Sequence, residues 1–152
     1  MFSIIAIGKM RDKAELDLFN RYAKRIRPSL DLIEINESKG QPIETKIKDA
    51  QNLLKAVPEK SLIISLDEGG KSYNSFDFAM HMQKCLELSK SISFLIGGAE
   101  GLHASAIKTS HSVISLGKLT WPHMIARILL TEQIYRAQMI LSGHPYHRQG
   151  RP

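Results

Sequence analysis

The residues whose types and spacing best suit chemistry lie between Ile92 and Arg148. An apolar run, Ile92 to Ile96, turns at once into Gly97-Gly98-Ala99-Glu100-Gly101-Leu102-His103, and a second, Val113 to Leu116, enters Gly117-Lys118-Leu119-Thr120-Trp121-Pro122-His123. Two strand-to-glycine junctions this close can frame one ligand pocket, because glycine lets the backbone approach a ligand; the competing reading is that the glycines only satisfy tight turns. A glycine-rich loop carrying one carboxylate, Glu100, suits a ligand that is neutral or cationic where it touches. Further on, the segment from Ser142 to Pro152 has no acidic residue and interleaves His144, Tyr146, His147, Arg148 and Arg151. Such a mixture suits stacking on an exposed base and neutralising phosphate, against which stands a disordered tail over 149–152.

Several familiar sites are excluded by spacing. Gly70-Lys71-Ser72 has the ending of a phosphate-binding loop, but Ser65 stands where that loop needs its first glycine. Gly97 to Gly101 lacks the spacing of a dinucleotide fingerprint, its glutamate would repel a pyrophosphate, and no carboxylate follows about 20 residues on. His144 and His147 are spaced like metal ligands but have no third ligand, so no metal site is expected. The single cysteine, Cys85, rules out an internal disulfide and a multi-cysteine zinc site. It reads as a small buried hydrophobe on a helix, in a reducing compartment.

Alternating elements position these residues. Phe2 to Ile7 reads as a buried first strand closed by Gly8. A helix from Ala14 to Arg27, stopped by Pro28, gathers Leu18, Phe19, Tyr22, Ala23 and Ile26 on one face and leaves Arg21, Lys24 and Arg25 towards solvent. Leu30 to Ile35 is the second strand, and Ile43, Ile47, Ala50 and Leu54 mark a helix that ends before Pro58. Ser61 to Leu66 is the third strand, with Asp67 to Ser72 as the loop after it. Asn74 or Ser75 caps a third helix with Phe76, Ala79, Met80 and Leu86 inward. Pro122 suits the first turn of a last helix running to about Leu141. Its apolar band is too broad for one buried stripe and implies a second partner surface.

This alternation predicts a single α/β domain over 1–152 with a mostly parallel sheet flanked by helices. Ligands of such sheets bind beyond the carboxyl ends of the strands, which is where the segments after Leu66, Ile96 and Leu116 fall. At 152 residues and 43% hydrophobic content, one compact core is enough. No apolar run approaches the roughly 18 residues of a membrane span, and the first residues make a poor signal peptide, so a cytoplasmic, soluble protein is expected. The net charge of +6 favours a polyanionic partner. Seven cations, from Lys9 to Arg27, make either an electropositive edge of the domain or an ordinary solvated helix face. Arg127 and Arg136 belong either to phosphate or target-base contacts or, for Arg136, to a helix-surface pair with Glu132 four positions earlier.

Four segments in register, LIGGAEGL, SLGKLTWPH, a helix of the form RxLLxEQxYRA and a terminal HPYHR, resemble the RlmH family of single-domain SPOUT methyltransferases, over essentially the whole chain. The resemblance implies an alpha/beta-knot fold whose C-terminal half is a trefoil knot, and a homodimer in which each active site is completed across the interface. It implies S-adenosyl-L-methionine as cofactor, a ligand whose positive sulfonium suits Glu100, held by Leu66, Gly98, Gly117, Lys118, Leu119, Thr120, Trp121 and Pro122. It implies methylation of N3 of a pseudouridine in 23S ribosomal RNA at the subunit interface, with the assembled ribosome as the expected substrate. His123, His147 and Arg148 are then expected nearest the target base, with Tyr146 stacking or hydrogen bonding and Glu100 orienting cofactor or acceptor. RNA contacts are expected from Arg127, Arg136, His144, Arg21, Lys24 and Arg25. Trp121 is bulkier than the residue usual at its place, and Ala99 stands where some relatives have proline. The competing class is a basic RNA- or ribosome-binding protein without chemistry, which gives no reason for two glycine turns.

Overall fold

The computed structural model describes residues 1–148, so Arg151 and the expected disorder over 149–152 lie outside the described residues. Ten elements alternate: β1 (Phe2–Ile7), α1 (Lys13–Ala23), β2 (Leu30–Ile35), α2 (Pro42–Ala56), β3 (Leu62–Ser72), α3 (Ser75–Leu88), β4 (Ile92–Ile96), α4 (Ala104–Thr109), β5 (Ser112–Ser115) and α5 (His123–Leu141). The five strands form one parallel sheet in the order β2-β1-β4-β3-β5. Side-chain alternation along the strands divides the core in two. Phe2, Ile4, Ala6, Phe94 and Ile64 face α1, α3 and α5, whereas Ile5, Ile7 and Leu95 face Ala50 and Leu53 of α2 and Ala106 of α4.

Several elements differ from their sequence reading. The first helix stops at Ala23, not Arg27, because Arg25 and Ile26 donate their amides three residues back to Tyr22 and Ala23, tightening the last turn. That turn drives Ile26 into the core and leaves Leu18 partly exposed. The inner faces of α2 and α3 are each rotated from the expected set. Leu53 is buried and Ile43 exposed on α2; Phe78, Met82 and Cys85 are buried and Phe76 turns outward on α3. Of the two cap candidates Asn74 serves, accepting the Asp77 amide at 2.8 Å. Pro122 is the residue before α5 and not its first turn.

The segment Asp67–Ser72 is not a free loop. β3 continues through it, with a register shift against β5 between Leu66 and Lys71. Glycine is required there, since a Cβ on Gly70 would lie 2.8 Å from the Ile114 nitrogen. The short helix α4 has no counterpart in the sequence reading.

Beside the β3–β5 edge, His81 stacks on Tyr73 with ring centroids 5.1 Å apart and meets the Ser112 hydroxyl at 2.9 Å. Burial, then the positive charges of His111, Lys71 and Lys84, hold its imidazole below the ordinary value of 6.5. A depressed histidine favours the fold fully above 6.5, and that contribution is lost as pH falls through the lowered value. Urea unfolding is therefore expected to show stability declining below about pH 6.5, with a shallower decline in His81→Gln; equal slopes in the two proteins would contradict this.

Candidate active site

The middle of β3, at its register shift, and the carboxyl ends of β4 and β5 open into one cleft of about 630 Å³, inside the roughly 300–1,000 Å³ span of small-ligand sites. One wall is the turn after β4. Gly101 donates its amide to the Gly98 carbonyl at 3.0 Å, and the turn closes so tightly that a Cβ on Gly97 would sit 2.6 Å from the Gly101 carbonyl. The opposite wall is the turn after β5. Here the Ser115 hydroxyl donates to the Gly117 carbonyl at 2.8 Å and accepts the Gly117 amide at 3.2 Å, and Gly117 takes a positive φ of 108°. The Trp121 indole reaches back to donate to the Leu116 carbonyl at 3.3 Å, fixing the far end of that turn.

Leu66, Gly98, Gly117, Leu119, Thr120, Trp121 and Pro122 all line the cleft, as do Glu100 and His123. Lys118 belongs to the same turn but is exposed and outside the lining. Asp67 and Glu68 also line it; the sequence places the segment after Leu66 at the ligand-binding edge but singles out only Leu66 there as a cofactor contact. The cleft thus carries three carboxylates and, among the described residues, no lysine or arginine in its lining. In a chain of net charge +6, that local acidity disfavours a phosphate and favours a cationic ligand. His123 opens α5 at the rim, its ring packed near Gly8, with Nδ1 buried and without a hydrogen-bond partner among the described residues.

Arg127, expected to contact RNA, is fully buried. It pairs with Glu34 at 3.0 Å and donates to the carbonyls of Ile7 and Gly8, both at 2.7 Å. Glu34 in turn accepts the Met10 amide at 2.6 Å. Every direction of this guanidinium that finds an acceptor points inward, so it holds α5 to the ends of β1 and β2 and has no face for a nucleic acid. Arg21, Lys24 and Arg25 are exposed on and just after α1, with the Arg25 guanidinium 5.8 Å from the Tyr135 ring centroid.

The tail folds back along its own helix. Glu132 binds Arg136 at 2.7 Å, and Arg136 also approaches His147 Nδ1 at 3.1 Å and lies over the Tyr146 ring at 4.9 Å. Burial works against the Arg136 charge, but its hydrogen bond to Glu132 and that carboxylate's charge outweigh it, and the net shift is upward. Tyr146 donates its hydroxyl to Glu132 at 3.3 Å, and burial, seconded by Glu132, pushes its phenol above the usual value, so it stays a donor. His144 is exposed and accepts the Tyr146 amide, and Arg148 is exposed. Tyr146, His147 and Arg148 do not line the cleft of their own chain.

A parallel α/β sheet with two glycine turns walling an acidic cleft beyond its carboxyl edge is the architecture of a small-ligand-binding α/β enzyme. The profile of the family described as "Predicted SPOUT methyltransferase" matches residues 1–147. Among curated relatives, the ribosomal RNA large subunit methyltransferase H of Gluconacetobacter diazotrophicus is 50% identical over 149 residues, spanning 98% of each chain, and that of Acidiphilium cryptum is 46% identical, spanning 98% of this chain and 94% of its own. The chain belongs to the SPOUT methyltransferase family and, within it, to the RlmH family. Two solved structures share the fold: a probable methylase family protein of Haemophilus influenzae Rd KW20, with a TM-score of 0.59 at 13% identity over 97% of this chain and 70% of that one, and a probable methyltransferase of Bordetella pertussis Tohama I, with 0.58 at 14% identity over 90% and 95%.

Proposed function

We propose that this chain is an S-adenosyl-L-methionine-dependent methyltransferase that modifies N3 of a pseudouridine in 23S ribosomal RNA, acting on the assembled ribosome in the cytoplasm as a homodimer. The observation that carries the reading is the convergence of the segments after Leu66, Ile96 and Leu116 on one acidic cleft with His123 at its rim. The residues present fit the donor. The glycine turns leave backbone atoms open to an adenosine, and Asp67, Glu68 and Glu100 complement a sulfonium in a lining without a competing cation. When bound, that group supplies a methyl already activated for displacement.

The chain's own residues must do the rest. N3 is an imide nitrogen, a weak nucleophile until its proton leaves. The turns after β4 and β5, with Asp67, Glu68 and Glu100, would hold the donor so that its methyl is within reach of that nitrogen. Tyr146, His147 and Arg148 are suited to stack on the base and to stabilise its anion. Because they stand away from their own cleft, the reading has them complete the site of a second copy. Ile125, Leu129 and Met139, half-exposed on α5, support a further contact surface there. A C-terminal trefoil knot belongs to the same proposal.

Nucleoside mass spectrometry of ribosomal RNA from cells lacking the gene is expected to show one pseudouridine without its methyl; an unchanged profile would overturn the reading. His147→Ala and Arg148→Ala are each expected to slow methylation about 10²–10³-fold with calorimetric affinity for S-adenosylmethionine nearly intact. If that affinity falls in proportion, the two residues have been given the wrong role.

A further inference from the structure

The Glu132–Arg136–His147 chain specifies more than a place for the tail. All five guanidinium N–H groups are donors and no nitrogen in that group accepts. Arg136 Nη1 lies 3.1 Å from His147 Nδ1, so a hydrogen bond there requires Nδ1 to be the acceptor. A neutral imidazole accepting at Nδ1 carries its proton on Nε2. The arginine has little freedom to do otherwise: its Nε donates to Glu132 Oε1 at 2.8 Å, a second nitrogen meets the same oxygen at 2.7 Å, and the Tyr146 ring lies beneath its plane. Tyr146 also packs against Tyr135, edge to face with ring centroids 4.8 Å apart. The nitrogen through which His147 would take a proton at this end is therefore already occupied by a donor.

We propose that Arg136, held by Glu132, is a positioning residue that fixes His147 in its Nε2–H form, so that His147 offers a hydrogen-bond donor and not a base to an acceptor oxygen of the RNA. This rests on the RNA reading above for the identity of the acceptor, which a carbonyl of the target base or a phosphate oxygen satisfies equally. The tautomer itself rests only on this chain. It also divides labour within the tail. His147 stabilises charge on oxygen, and a change of Arg136 or Glu132 acts through the imidazole without touching substrate.

Long-range proton–nitrogen NMR on protein labelled with ¹⁵N-histidine tests the tautomer directly, with His147 assigned among the six histidines by its loss in His147→Ala. At neutral pH the wild-type ring is expected to show an unprotonated Nδ1 and a protonated Nε2, and Arg136→Met is expected to give a mixture of tautomers. A protonated Nδ1 in the wild type overturns the proposal. The kinetic arm uses His147→Gln, whose amide keeps a donor but no base. Alanine is expected to lose about 10²–10³-fold in kcat and glutamine to recover at least about tenfold of that loss, whereas equal loss in both overturns the donor role. Arg136→Met is expected to lower kcat at unchanged affinity for S-adenosylmethionine. If the wild-type ring carries its proton on Nε2 but ribosomal RNA gains no methyl, the functional reading falls and the tautomer stands. If RNA is methylated and Nδ1 carries the proton, the tautomer alone falls.

Discussion

Glu34→Ala is expected to lower the free energy of unfolding by about 3–5 kcal/mol, the cost of leaving a buried charge without its counter-ion. The Arg127 side chain has no exposure, and Glu34 is the carboxylate that answers it, at 3.0 Å. Burial pulls the Arg127 guanidinium below its ordinary value, and the charge and hydrogen bond of Glu34 work in the opposite direction. Without that carboxylate its hydrogen-bond acceptors among the described residues are the carbonyls of Ile7 and Gly8, which are dipoles and not charges, and Glu15 acts on it through charge without a hydrogen bond. Arg127→Met removes the charge itself but strands those two carbonyls, each costing about 1–3 kcal/mol if left without a donor. The double variant is expected to be less destabilised than the sum of the single ones, since its members share one interaction. Urea unfolding of the four proteins measures the coupling, and strict additivity would show that the pair holds nothing together.

Gly97→Ala is expected to slow methylation about 100-fold or more, as misplacing a reacting group by about an ångström does, and to abolish the calorimetric heat of S-adenosylmethionine. The new methyl would lie 2.6 Å from both the carbon and the oxygen of the Gly101 carbonyl. Those are backbone atoms of the cleft wall, so the wall must move. Gly101→Ala makes the informative contrast: its Cβ meets open space, and only the left-handed φ of 76° opposes it, at about 1–2 kcal/mol. It should weaken the fold modestly and binding little. If the two alanines behave alike, the effect comes from turn strain and not from wall shape.

How legible each feature was depends on how far its causes lie along the chain. The cleft was readable because each wall is a local pattern, an apolar run into glycine at Ile96 before Gly97-Gly98 and Leu116 before Gly117, and an apolar run into a polar, glycine-containing stretch at Leu66 before Asp67-Glu68-Gly69-Gly70. The burial of Arg127 was not, because its acceptors on β1 and β2 are remote in sequence and nothing about an arginine on a helix announces them. The helix faces were read about one position out of phase on α2 and α3, where Ile43 and Phe76 lie near the first turn and are not covered by the sheet. The extension of β3 was hidden by its content, Asp67-Glu68-Gly69-Gly70, which reads as a turn until its pairing with Ile114 and Ser115 is seen. α4 is six residues with one buried side chain, Ala106, too short for a periodicity. The tail's composition was readable, but its return onto Glu132 and Arg136 was not, since charge alone does not choose between RNA and a nearby carboxylate.

β1 sits inside the sheet, with β2 on one edge and β4 on the other, and Phe2 stands opposite Ile92. During translation this wholly buried strand therefore emerges long before one of its two neighbours exists. At about 5–20 residues per second, the delay is on the order of ten seconds, during which an unpaired edge is open to chaperones and to other nascent chains. Yield of active protein should accordingly respond to growth temperature and chaperone supply more steeply than its final stability would suggest.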